Sequence, residues 1–315
     1  MVFKNACIGD LLVGILNLLL CRTTRSDLYS AALGVFAFAA VLGIFQDRWV
    51  VAAVITNGPL EVAISDSNGA IASVTFGGAE YFRHGTFVSD FGFQNGTDTG
   101  SFVYNSAAGF GSQPVVVMGT TVTGNYTNGG ANVAFQRTYS LVGGLNVLRI
   151  STQLSNQGVS ATTLSYFDGF DPDQGESLGL GFGTFNDVFG LAGASVAEAR
   201  VSSNDTVVMG STDPRVTVSS GNIFAIGSGS ELNSFFDAPF DPNGAFDDSG
   251  TQLGLRVLLA PGQSTSVTYD LAFGLNSTDA RNAFAAAQVP EPGSLVIFGL
   301  GSAIYGIGRR RRSAC

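Results

Sequence analysis

The stretch "DGFDPDQGE" places Asp168, Asp171, Asp173 and Glu176 within nine residues, around Pro172 and Gly175. Carboxylate oxygens at alternating loop positions suit a hard cation such as calcium. A second loop, "FDPNGAFDDSG", adds Asp241, Asn243, Asp247 and Asp248. Neither loop has the EF-hand order, in which glycine follows the third ligand and a glutamate closes the loop. The competing reading is structural, because Asp and Asn in turns bond their own backbone. Calcium at Asp168, Asp171, Asp173 and Glu176 is the one cofactor the sequence offers.

Nucleophilic and general-base chemistry find little material. The sequence holds one histidine, His84 in "YFRHGT", so histidine-based triads and multi-histidine metal sites are excluded by counting. A carboxylate pair can hydrolyse a glycosidic bond, but no local pattern selects two of the many acidic residues. Aromatic side chains in "TFVSDFGFQ" (Phe87, Phe91, Phe93) and "NSFFDAPF" (Phe235, Phe236, Phe240) have two readings, a sugar-binding platform or core filling. The expectation is a protein that is not an enzyme.

Such loops must be held by strands. The sequence has 45% hydrophobic and 12% charged residues with 42 glycines, a balance that fits a β-rich body rather than a helical one. "PLEVAISDSNGAIASVTF" alternates Leu60, Val62 and Ile64, turns at "DSNG", and resumes with Ala72, Val74 and Phe76, a hairpin pattern. "TVTGNYTNGGANVAFQRTYSLVGGLNVLRISTQL" gives Val133, Phe135, Arg137, Tyr139 and Leu141 one face, then Leu148, Ile150 and Leu154, as in a three-strand meander. "LGLRVLLAPGQSTSVTYDLAF" sets Leu253, Leu255, Val257 and Leu259 against Val267, Tyr269, Leu271 and Phe273 across "APGQ". Helical character is confined to "SVAEARV" and to "STDARNAFAAAQ", capped by Ser277 or Thr278 and read as a linker. The expected fold class is all-β: one large antiparallel β-sandwich, a supersandwich being its larger form. Two immunoglobulin-like domains divided near 158–183 are the alternative.

Charge and cysteine usage limit the partners. Between Val54 and Gln288 there are 20 acidic and 7 basic residues, a formal charge of −13. No basic surface for nucleic acid exists there. All three cysteines, Cys7, Cys21 and Cys315, lie outside that body, so a disulfide within it is excluded.

Both ends read as membrane-directed. Arg22 and Arg25 precede an eighteen-residue apolar run, Leu28 to Phe45, and Val51 and Ala53 are small residues suited to cleavage after Ala53. A retained anchor is the alternative. At the other end, the sixteen residues Gly293 to Gly308 include five glycines. At ~1.5 Å per residue they fall short of the ~30 Å hydrocarbon core. Arg309, Arg310, Arg311 and Arg312 set the orientation, with a cytoplasmic tail and an exported body. Pro290 and Pro292 flank Glu291 and force extended backbone before the membrane.

"VPEP", a glycine-rich apolar segment and a terminal arginine cluster, in that order, resemble the PEP-CTERM sorting signal. The resemblance covers about the last 25 residues. It implies an exosortase-like processing enzyme and the export machinery as partners. It implies transit across the inner membrane, transient anchoring by the C-terminal helix, and a final place at the cell surface or outside, often with exopolysaccharide. Pro290, Glu291, Pro292 and Arg309 to Arg312 carry over as recognition residues. "GGANVAFQRTYSLVGGLNVLRISTQLSNQG" resembles strands of galactose-mutarotase-like supersandwiches, a likeness of fold whose histidine and carboxylate chemistry lacks its parts here.

The expected organisation is therefore 1–53 export region, 54–276 β-sandwich body, 277–288 linker and 289–315 sorting signal. The expected function is that of a non-enzymatic structural or adhesive surface component associated with an exopolysaccharide matrix. A carbohydrate-binding module or degenerate polysaccharide-acting protein is the alternative.

Overall fold

Alternation of apolar and polar residues becomes strand through most of the body. The computed structural model describes residues 51–81, 89–95, 101–102, 111–112, 115–221 and 235–289, all within the unit Val50–Cys315. The export region up to residue 50, His84, Phe87, and the sorting residues Pro290, Glu291, Pro292 and Arg309 to Arg312 lie outside the described residues. Among the described residues no helix is long and apolar enough to cross a membrane.

The chain opens with β1 (Val51–Asn57), β2 (Leu60–Ser65), β3 (Ile71–Phe76) and β4 (Ala79–Glu80), then β5 (Ser89–Asn95), β6 (Ser101–Phe102) and β7 (Gly111–Ser112). It continues through β8 (Val115–Met118), β9 (Thr121–Tyr126), β10 (Val133–Leu141), β11 (Val147–Asn156), β12 (Thr162–Phe170) and a one-turn helix α1 (Gln174–Ser177). The remainder is β13 (Thr184–Leu191), β14 (Ala194–Arg200), β15 (Thr206–Ser211), β16 (Val216–Gly221), β17 (Ala245–Asp247), β18 (Gly250–Leu259), β19 (Ser264–Gly274) and helix α2 (Ser277–Ala287).

These strands form three sheets: β1-β2-β3-β4; β17-β13-β14-β15-β19-β11-β10-β9-β8; and β16-β18-β12-β5-β6-β7. Pairing is antiparallel except between β6 and β7. One core joins all three, with Val62 and Val74 from the first, Phe135, Ile150 and Tyr269 from the second, and Phe93 and Tyr166 from the third. Because β19 lies between β15 and β11, strands from both sides of 158–183 share a sheet. The body therefore does not divide there, and the single-sandwich reading holds.

The first hairpin and the meander form as expected. Leu60 pairs with Phe76 and Val62 with Val74, but a register shift at Ala63/Ile64 turns Ile71 rather than Ala72 into the core. In the meander, β10 pairs with β9 and β11, and Val133, Phe135, Arg137 and Tyr139 are buried together. The expected pairing of β18 with β19 does not occur. β18 pairs with β12 and β16, while β19 pairs with β11 and β15, so the turn "APGQ" carries the chain from one sheet to the other. Leu253 and Leu255 of β18 and Tyr269 and Leu271 of β19 still enter one core. A period of two reports which face is buried and is silent about the partner strand.

Two helical expectations separate. "SVAEARV" is strand β14, with Ala197 and Ala199 in the main core and Ala194 and Val196 in a second cluster. "STDARNAFAAAQ" is helix α2, capped by Asn276, whose side chain accepts the N–H of Asp279. It is no loose linker: Ala280, Phe284 and Ala287 pack with Val147, Val196, Val208 and Ala272. The helix approaches so closely that a Cβ on Gly274 would lie 2.3 Å from the nitrogen of Ala280. Arg281 bonds Glu198 at 2.6 and 3.0 Å and stacks over Phe189.

Candidate functional site

The four acidic residues of the first loop part company. Asp168 is a strand residue of β12 whose side chain points into the core, 2% exposed, against Arg137 at 1%. Arg137 Nη1 donates to Asp168 Oδ2 and, at 2.8 Å, to the Tyr269 hydroxyl, while Nε donates to the Tyr139 hydroxyl at 2.7 Å. The hydroxyls of Tyr166 and Tyr269 donate to Asp168 Oδ2. The guanidinium also lies 4.5 Å from the Phe91 ring centroid. Asp168 is thus committed to a buried ion pair and is unavailable as a loop ligand.

Asp171 and Asp173 follow the end of β12 on either side of Pro172, and Asp173 occupies the N-cap position of α1. They meet Asp248, from the second loop. The carboxylate oxygens of the three lie within 4.8 Å of one another. Strand pairing explains the meeting, since Phe170 at the end of β12 is opposite Thr251 at the start of β18. Glu176, one turn into α1, is not in this cluster. In the second loop Asp241 accepts the N–H groups of Asn243 at 2.9 Å and Val188 at 3.1 Å, the backbone-stabilising role of a turn aspartate.

Asp171 is only 8% exposed. No hydrogen bond from the described residues reaches its carboxyl. Burial, and then like-charge repulsion from Asp173 and Asp248, together push that carboxyl up to about 8. At neutral pH the group therefore holds a proton unless a cation replaces it. Three carboxylate oxygens from two loops are donors of the type a hard divalent cation takes.

The aromatic residues fall differently from their order in the sequence. Phe91 and Phe93 are buried, and Phe235 packs on Phe167 and Phe236. Among the described residues the exposed rings are Phe182 (39%), Phe246 (58%) and Phe240. Phe246, on edge strand β17, stacks 5.0 Å from Phe185, over which Arg200 lies at 4.9 Å. Gly183 makes room for it, because a Cβ there would be 2.4 Å from the Phe246 ring. Phe246 is two residues from Asp248, so an aromatic edge and a carboxylate cluster adjoin. Neither Phe182 nor Phe246 stands out in the sequence. Only the pairing of β13 with β17, Phe185 opposite Phe246, exposes the grouping.

Comparison with known proteins assigns the C-terminus. Residues 288–312 match the PEP-CTERM protein-sorting motif. The chain carries that signal, which implies export, processing by an exosortase and membrane anchoring through the C-terminus. No curated protein matches the chain. Among solved structures, 70% of the chain aligns with 99% of a galactose mutarotase-like protein from Lactobacillus casei, at 11% identity and a TM-score of 0.40. A polysaccharide lyase aligns at 14% identity and a TM-score of 0.46, over 74% of this chain and 35% of the lyase. A bacterial glucoamylase complexed with acarbose aligns at 11% identity and a TM-score of 0.48, over 75% of this chain and 34% of that one. The body thus resembles galactose mutarotase-like folds at low identity, and it spans about a third of the two larger chains.

Proposed function

We propose that this protein is a non-enzymatic structural or adhesive component of the cell surface or extracellular matrix, delivered by exosortase sorting and associated with exopolysaccharide. The observation that carries the reading is the sorting motif at 288–312, which starts directly at the end of a helix packed onto the β-body. The body is the cargo. With a single histidine in the sequence no histidine-based triad can form, and Asp168 and Arg137 are committed to the core.

Mass spectrometry of the protein from its native cells tests both ends of the reading. The mature chain is expected to begin at Val54 and to lack every peptide beyond about Gly293. In a host without the processing enzyme the intact tail is expected in the membrane fraction. Alanine at Pro290, Glu291 and Pro292 is expected to leave uncleaved protein in the inner membrane. A native protein that keeps its whole tail in that membrane would make the segment a simple anchor.

A second reading, glycan binding by the same body, is favoured by the exposed rings of Phe182 and Phe246 and by the carboxylate cluster of Asp171, Asp173 and Asp248, the last of them two residues along the chain from Phe246. Aromatic faces stack on sugar C–H faces, and carboxylates accept from sugar hydroxyls. The body's charge of −13 directs the choice to a neutral oligosaccharide. On a glycan array, Phe246→Ala and Phe182→Ala are each expected to weaken the signal about tenfold, the factor that one aromatic contact carries. Binding that is indifferent to both rings would rule this edge out. Calcium at Asp171, Asp173 and Asp248 belongs to the same reading, supported by the buried Asp171 carboxyl, which receives no hydrogen bond among the described residues.

A further inference from the structure

The sorting signal begins inside the folded body. Gln288, the first matched residue, is the C-cap of α2. Its Nε2 donates to Asp270 Oδ2 at 2.8 Å and to the Phe284 carbonyl at 3.2 Å. Asp270, in β19, is buried, and its two oxygens receive Nε and Nη2 of Arg149 at 2.8 Å each. The same Nη2 reaches the Ala287 carbonyl at 2.8 Å, so a guanidinium sits at the negative end of the helix dipole. Beneath this group Phe284 is fully buried. Val289 is 67% exposed, its N–H still bonded to the Ala286 carbonyl at 3.2 Å. The next residue is Pro290.

A segment recognised as an extended strand offers its main-chain groups to the enzyme that binds it. The backbone leading into Pro290 has those groups engaged in the last turn of α2 and in the contacts of Arg149. Pro290, for its part, disfavours helical backbone at Val289. The last turn of α2 must therefore loosen before Gln288 and Val289 can extend.

We propose that Arg149, Asp270 and Gln288 form a latch that gates processing of the C-terminal segment, which becomes a good substrate only when the last turn of α2 releases. The proposal rests on the exosortase reading above. A latched majority lowers the apparent affinity for the processing enzyme by the fraction of chains that are open.

The test is a pulse–chase of tail loss from the full chain in its native host. Two variants are compared with the parent: Gln288→Ala, and an insertion of about eight Gly and Ser residues between Val289 and Pro290, which behaves as a flexible spacer and leaves α2 untouched. Gln288→Ala is expected to lose the tail about fivefold faster, the effect of about 1 kcal/mol on the latched state, and the insertion to lose it faster as well, because its spacer supplies extended backbone before Pro290 without opening the latch. Purified Gln288→Ala protein is expected to melt within a few degrees of the parent, which separates the latch from general destabilisation. Rates unchanged or slower in both variants would overturn the latch. Glu291→Ala in the same experiment addresses the underlying reading. A parent chain that is processed, with Glu291→Ala blocked, keeps the sorting reading whatever the latch variants do. Equal tail loss in parent and Glu291→Ala removes that reading and the latch with it.

Discussion

Replacing Arg137 with methionine is expected to lower the unfolding free energy by about 3–5 kcal/mol, the cost of removing one partner from a buried ion pair. The guanidinium and the Asp168 carboxylate are 1% and 2% exposed, so neither can recover water when the other is lost. Tyr139, Tyr166 and Tyr269 are oriented around the charge as well. Methionine fills the stem volume but leaves the carboxylate facing phenol hydroxyls alone. For a body of this size each kcal/mol shifts the melting midpoint by about 2–4 °C, and urea denaturation reads the free energy directly. The double variant Arg137→Met/Asp168→Leu is expected to recover much of the loss, because an apolar pair in a well-packed site is close to neutral against a buried ion pair. A single variant that loses less than about 1 kcal/mol would place the pair outside the cooperative core.

The second large effect is on pH. Asp171 is held near 8 in the folded protein, against about 3.9 for an unfolded aspartate. Between these values the folded state binds a proton that the unfolded state does not. The contribution of Asp171 to stability is therefore greatest below about pH 4, falls as pH rises through the interval, and is flat above about 8. The full span is of order 5 kcal/mol, because each tenfold difference in proton affinity between the two states is worth about 1.4 kcal/mol. Asp171→Asn is expected to flatten the slope, since the amide does not ionise. Millimolar calcium is expected to raise the melting midpoint most at pH 8 and above, where Asp171 gives up its proton, and to have little effect at pH 5. A midpoint that is the same with calcium and with chelator at pH 8 would remove the metal and leave the proton as the partner of Asp171.

Strand existence and inward faces are legible in the sequence, because alternation at Leu60, Val62 and Val74, or at Phe135, Arg137 and Tyr139, follows directly from the pleat. Partner choice is not. β18 and β19 share the inward pattern of a hairpin, and only the closed sandwich separates them into two sheets. "SVAEARV" reads as helical because β14 is covered on both faces, which erases the alternation. The carboxylate cluster is half legible for a related reason. Both acidic loops are evident, but the register of β12 with β18 is what exchanges Asp168 and Glu176 for Asp248. Asp168 sits in a run that reads as loop, yet it lies in phase with Tyr166 on a buried strand face. Its partner Arg137 falls on a core-facing row of the meander, and a buried arginine requires a buried anion.

The position of β19 sets the order in which the molecule can be completed. Its two neighbours in the nine-stranded sheet, β11 and β15, are synthesised long before it. Until Ser264–Gly274 arrives they have no strand between them, and the halves of the sheet cannot join. The missing strand is contributed almost at the end of the body, just ahead of α2 and the sorting signal. Long-range pairings of this kind slow folding, and unfilled strand edges are open to wrong partners meanwhile. A chain truncated before Ser264 is therefore expected to lack the central joint of its largest sheet, so the last segment made decides whether everything made earlier becomes a folded domain.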